Sequence, residues 1–215
     1  MALLVETPVF GPDTNQYAGQ GQPAVTLAQI ADICRLFEGI GFDGITTAEA
    51  GHDAFLPLMI AAAQTARMKL GTNVAIAFPR SPMVTAQMAW DLAHFSGGRF
   101  TLGLGTQVKG HNERRYSTPW PSAPGPRMRE YLYVSAVGPY MARRSGELCD
   151  GLRLHPISTF RHTRDVIVPA VAAGAAKSGR DACGFDLVGA PFLATGRTDA
   201  DVEQAQLRRV LVHEA

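Results

Sequence analysis

Residues 67–105 read RMKLGTNVAIAFPRSPMVTAQMAWDLAHFSGGRFTLGLG, and this stretch decides the fold. Residues 70–78 form a continuous apolar run, the pattern of a parallel strand covered on both faces. Ser81 followed by Pro82 supplies an N-cap and a first helical residue, the helix continues through Trp90, and Ser96-Gly97-Gly98 stops it. Residues 99–105 are then a second strand. Strand, crossover helix and strand make the repeating unit of parallel α/β folds.

The same unit recurs on the amino-terminal side. A capping-box pattern, Thr26-x-x-Gln29, opens a helix with apolar residues at 27, 30, 33, 34 and 37, and Gly39 and Gly41 end it. Residues 42–48 are a strand, residues 57–68 a helix with Pro57 in its first turn, and residues 3–10 a first strand. Gly44 to Gly71 is 27 residues and Gly71 to Arg99 is 28, so successive units follow with little slack. Downstream, residues 133–137 are a strand, 139–148 a helix, 151–154 a strand, 163–177 a helix, 185–194 a seventh strand and 199–212 a closing helix. The resulting expectation is a single α/β domain over residues 1–215 with about seven strands, either a TIM-type (β/α)8 barrel left incomplete by one unit or an open sheet.

Composition narrows the chemistry. The chain of 215 residues carries 20 Lys plus Arg against 19 Asp plus Glu, a net charge of +1, and no field that would gather nucleic acid or anionic lipid. Cys34, Cys149 and Cys183 show no paired spacing, and no His/Cys/Asp/Glu set has metal-ligand spacing, so neither a disulfide framework nor a metal is expected. The start, MALLVETP, lacks a basic region, and the longest apolar window is broken by Arg67 and Lys69. A cytoplasmic protein acting on a small molecule is the expectation.

In parallel α/β folds chemistry gathers at the carboxyl ends of the strands. Those ends are Ala48 to Asp53, Ala77 to Ser81, Gly103 to His111, and Ala136-Val137-Gly138-Pro139. Gly138-Pro139 opens a helix, which fits either a phosphate seat or a turn that merely starts a helix. Gly103-x-Gly105 lacks the third glycine of a dinucleotide fingerprint and reads as close packing. His52, beside Glu49 and Asp53, is a candidate proton donor, or an exposed histidine in a capping segment. His111, Glu113, Arg114 and Arg115 read as a charged surface loop.

Several segments resemble the bacterial-luciferase-like oxidoreductases, in particular their branch using the deazaflavin coenzyme F420. They are GFDGITTAEAGHDAFLPLMIAAAQT (41–65), residues 67–116, PRMREYL (126–132) and YVSAVGPYMARRSGELCDGLRLHP (133–156). The resemblance implies a β/α barrel that holds F420, or FMN as the alternative, at its carboxyl-terminal face. It implies that Thr72, Asn73 and Val74 edge the ring, and that Thr106 and Gln107 meet the ring's side chain. Ala136, Val137, Gly138, Pro139 and Met141 would form the phosphate seat, and Glu49 and His52 would lie near the ring as catalytic candidates. Val108 stands where some deazaflavin-dependent members use glutamate.

Two departures accompany the likeness. A helical start over residues 125–132 runs directly into the next strand, where relatives carry a longer helix and an insertion, and after Val212 the family's final strand and helix are absent. The function implied is hydride transfer or oxygenation of a small organic substrate. The competing reading is an inactive barrel remnant that at most binds cofactor or self-associates, because an incomplete barrel exposes strand edges and invites a homodimer.

Overall fold

The computed structural model describes residues 5–8, 25–49, 52–120, 132–136, 138–155, 158–189 and 198–203. Its strands are β1 (Glu6–Pro8), β2 (Gly44–Thr47), β3 (Lys69–Thr72), β4 (Ala75–Ile76), β5 (Phe100–Gly105), β6 (Leu132–Ala136), β7 (Gly151–Leu154) and β8 (Asp186–Val188). All pair in parallel, in the order β1-β2-β3-β5-β6-β7-β8, with β4 also on β5. Around them run α1 (Leu27–Ile40), α2 (Leu56–Gln64), α3 (Pro82–Phe95), α4 (Lys109–Arg115), α5 (Pro139–Leu148), α6 (Phe160–His162) and α7 (Val168–Ser178).

Local signals set most boundaries. In α1 the Gln29 side-chain oxygen accepts from the Thr26 N–H at 2.9 Å, and Gly41, at φ 103°, closes the helix in the left-handed region. Ser81 caps α3 by accepting from the Val84 N–H at 3.2 Å. The helix over residues 139–148 and the strand over 151–154 fall where the sequence places them.

Five boundaries differ. Helix α2 ends at Gln64 rather than Met68, because the amides of Ala66, Arg67 and Met68 donate to the Glu38 carboxylate on α1 instead of to helix carbonyls. The expected third strand is two pieces, β3 and β4, separated at Asn73 and Val74, whose peptide bond is cis. Residues 109–115, expected as loop, form α4, and its Asn112 amide donates to the carbonyls of Thr106 and Val108. Leu132, expected to end a helix, opens β6 opposite Leu102, and Tyr133 follows on the next rung opposite Gly103.

The fifth is the helix expected over 163–177. It starts earlier, at Phe160, and passes through a π-helical turn over Thr163–Ile167 before α7. Pro169 has no amide to continue the α ladder there, and the Val168 N–H reaches back to the Thr163 carbonyl. Residues 199–203 are helical, as expected, and the rest of the closing helix, like residues 190–194 of the seventh strand, lies outside the described residues.

The sheet curls on itself. Arg153 of β7 crosses the interior to Glu6 of β1 at 3.1 Å, although the two strands lie far apart in the sheet order, and it is only 4% exposed. Space for it comes from Gly71, where a Cβ would stand 2.9 Å from the Arg153 Nη2, and from Gly103, where a Cβ would stand 3.5 Å from its Nε. Among the described residues β1 and β8 are not paired with each other, so the barrel is not closed by main-chain hydrogen bonds. Outside the sheet, one apolar cluster joins α1, α2 and α3 to β2, β3 and β5, and a second, around Leu152, Ile167 and Val171, lies under α5 and α7.

Candidate functional site

Because every strand runs the same way, the carboxyl ends of β2, β4, β5, β6 and β7 share one rim. The rim is organised by Arg80, in the turn after β4. Its Nη1 donates to Glu49 Oε2 at 2.6 Å, its Nη2 to Asp53 Oδ2 at 2.7 Å, and its guanidinium lies 5.6 Å from the centre of the Phe55 ring. Glu49 Oε2 also accepts from the Ile76 N–H at 2.7 Å, and Asp53 Oδ1 caps α2 through the amides of Phe55 and Leu56. Burial works against the Arg80 charge, but hydrogen bonds and charge from Glu49 and Asp53 more than offset it and raise its pKa above the usual value.

The β5 side contributes Tyr116 and Trp120. Burial, followed by the negative charge of Glu49, holds the Tyr116 phenol above its ordinary pKa, so the two side chains share one electrostatic neighbourhood. The Trp120 ring meets Phe78 edge-on, with centroids 5.3 Å apart. Loops after β2, β4 and β5 therefore converge on one mouth.

The residues expected at the site fall into three groups. Glu49 is buried within the Arg80 network, and His52 is half-buried in the turn that leads to Asp53 and α2. Thr72 is fully buried: its hydroxyl donates to the Gly103 carbonyl at 2.7 Å and accepts from the Gly103 N–H at 2.8 Å, and so is used inside the sheet. Asn73 and Val74 follow at the break between β3 and β4, anchored by Asn73 N–H to the Thr47 carbonyl and by the Val74 carbonyl from Glu49 N–H. Val74 packs against β5 because Gly105 has no side chain; a Cβ there would lie 2.4 Å from Val74 Cγ2. A Cβ on Gly103 would lie 2.1 Å from the Thr72 carbonyl oxygen, so the paired glycines serve the close packing expected of them.

Thr106 and Gln107 follow β5, Gln107 with φ 57°, and Val108 is the exposed N-cap of α4. Ala136 ends β6 opposite Leu154, and Val137 lies outside the described residues. Gly138 is the N-cap of α5, and Pro139, Tyr140 and Met141 form its exposed first turn. Ala142 is bonded back to the Gly138 carbonyl, which leaves the Tyr140 and Met141 amides free of helical partners, and a side chain at Gly138 would meet open space.

Sequence reasoning missed Arg80, Tyr116 and Trp120. Arg80 carries a readable signal, a lone cation between a strand end and a helix cap, facing the acidic pair Glu49 and Asp53 from the preceding unit. Among the described residues no group of His, Cys, Asp or Glu could hold a metal ion, and no helix is long and apolar enough to cross a membrane.

Proteins similar to this chain are known. An uncharacterized protein of Mycobacterium tuberculosis is 38% identical over 223 residues, covering 83% of this chain and 65% of its own. An F420-dependent glucose-6-phosphate dehydrogenase of Nocardia farcinica is 28% identical, covering 74% of this chain and 62% of its own. The chain thus spans just under two thirds of the length of these relatives.

Among solved structures, the coenzyme F420 dependent tetrahydromethanopterin reductase from Methanopyrus kandleri superposes with a TM-score of 0.68 at 18% identity, over 88% of this chain and 65% of that one. A type II Baeyer-Villiger monooxygenase from Pseudomonas putida, in complex with FMN, gives 0.60 at 14% identity, over 85% and 66%. These likenesses confirm the TIM-barrel type of fold. The profile of the luciferase-like monooxygenases matches residues 7–134 and 124–214, and the chain belongs to that family.

Proposed function

We propose that the chain binds coenzyme F420, with FMN as the alternative, at its carboxyl-terminal rim and acts as an oxidoreductase on a small organic substrate. The observation that carries this reading is the convergence of the loops after β2, β4 and β5 on one mouth, in a family whose named relatives include F420-dependent enzymes. The rim fits such a coenzyme at its anionic end: the first turn of α5 is exposed, has free amides and carries no side chain at Gly138. When bound, the coenzyme supplies hydride transfer at its ring or, as a reduced flavin, reaction with oxygen.

The residues of this chain divide the remaining work. Gly138, Pro139 and Met141, with Ala136 and Val137 leading into them, would seat the phosphate; Thr106 and Gln107 would meet the ring's side chain; and Thr72, Asn73 and Val74 would back the ring through the main chain. Glu49 and His52 would handle protons beside it. A homodimer and a cytoplasmic setting belong to the same proposal. The competing remnant without turnover finds less support, since the sheet curls far enough for β7 to reach β1 and the named relatives are a reductase and a dehydrogenase.

A titration tests the reading. The fluorescence of added F420 or FMN should change saturably with the protein. Gly138→Asp should weaken binding roughly tenfold, because a carboxylate would face the phosphate, while leaving the fold intact, because aspartate is a good N-cap. Unchanged fluorescence of both coenzymes would remove the redox assignment.

A further inference from the structure

The geometry points to Arg80 as the positioning residue of the rim: it fixes Glu49 and Asp53 so that one carboxylate oxygen, Glu49 Oε1, is left to accept a hydrogen bond from a ligand N–H or O–H. Asp53 Oδ1 is taken by the amides of Phe55 and Leu56, Asp53 Oδ2 by Arg80, and Glu49 Oε2 by Arg80 and the Ile76 amide. Among the described residues, no donor bonds to Glu49 Oε1.

The carboxylate cannot swing to exchange its oxygens, because Oε2 is held from two directions by donors on β4 and on the turn after it. The Glu49 side chain is only 5% exposed, against 28% for Asp53, so the oxygen is presented in a site poor in competing water. A planar fork meets the two acids with separate N–H groups, whereas a lysine ammonium presents its donors from a single nitrogen and spans the pair less well. The guanidinium also lies 5.6 Å from the centre of the Phe55 ring, at the start of α2. Arg80 is thereby assigned to act through Glu49.

The positioning of the acids stands independently of the proposed coenzyme, whereas the use of Oε1 by a ligand rests on it, so the test has two arms. In the first, backbone amide exchange is measured on wild type, Arg80→Lys and Arg80→Gln. The Ile76, Phe55 and Leu56 amides should exchange roughly tenfold faster or more in Arg80→Gln, with a smaller effect in Arg80→Lys, while Gly103 keeps its protection. Unchanged protection at Ile76, or a uniform rise across the sheet, overturns the positioning role.

In the second arm, F420 is titrated into wild type, Glu49→Gln, Arg80→Gln and the double variant. Each single change should weaken binding, and the double variant should bind as Glu49→Gln does, since Arg80 has nothing left to position. Losses that multiply in the double variant overturn the inference. If the wild type binds neither F420 nor FMN, the proposed function and the ligand role of Oε1 fall together, and the exchange arm alone decides Arg80.

Discussion

Gly174 is the position where adding one methyl group should do most harm. It lies buried on α7 against α5, and a Cβ built on it would stand 1.9 Å from the Arg143 carbonyl oxygen and 2.9 Å from the Glu147 amide nitrogen. Gly146 on α5 mirrors it, with a Cβ falling 2.1 Å from the Val171 carbonyl oxygen. The two helices thus meet backbone to backbone, and the obstructing atoms cannot rotate away. Restoring an ordinary contact of about 3.4 Å at Gly174→Ala requires the helices to part by roughly 1.5 Å.

Overpacking of this kind costs about 1–3 kcal/mol, and the rigid main-chain neighbour puts it at the upper end. The better helix propensity of alanine offsets up to about 1 kcal/mol. The net expectation is a loss of about 2 kcal/mol, read in urea unfolding as a midpoint lowered by roughly 1 M for a slope near 2 kcal/mol/M. Gly39→Ala in α1 is the control, since nothing lies within 4 Å of its added Cβ, and it should stabilise by about 0.5–1 kcal/mol. A Gly174→Ala protein as stable as wild type would refute the backbone-contact argument.

Thr72→Val keeps the side-chain shape but removes the hydroxyl that serves both backbone groups of Gly103, and should cost about 2–4 kcal/mol in the same unfolding measurement. At Glu38, burial alone would raise the carboxyl pKa, but the amides of Arg67, Ala66 and Met68 and the Arg67 charge lower it below its ordinary 4.5. A carboxyl depressed in the folded state stabilises above its unfolded pKa and loses that contribution as pH falls through the folded value. Unfolding followed from pH 7 downward should therefore show a steeper acid loss in wild type below pH 4.5 than in Glu38→Gln; equal slopes would contradict the capping role. Burial pushes the Cys34 and Cys149 thiols up to about 11, whereas Cys183 is exposed. A thiol reagent at neutral pH should label one cysteine in the native protein, slowly because the Asp181 hydrogen bond and charge raise its pKa, and three after unfolding.

Much of the fold was legible because its signals are local. The Thr26 and Gln29 box, the Ser81-Pro82 start and the Gly138-Pro139 start each act within one helical turn, and the structure begins α1, α3 and α5 where they stand. The spacing of the units together with their apolar runs pointed to parallel strands, because helices crossing between strands cover both faces of the sheet they join. Where partners come from afar, local reading failed. The end of α2 is set by Glu38 from a different helix, the break between β3 and β4 by bonds to Thr47 and Glu49, and the Arg80 network by acids from the previous unit.

The sequence alone determined the kind of chain and its repeating unit, since these follow from residue periodicity and short motifs, and it pointed to the family through the resemblance of whole segments. Only the tertiary structure decided that Arg153 reaches across to Glu6, that Thr72 turns its hydroxyl inward, and that Arg80 holds Glu49 and Asp53 together. Such facts depend on distances between atoms remote in the chain. Those distances are fixed by the curl of the whole sheet, which residue order constrains only through the sum of all its contacts.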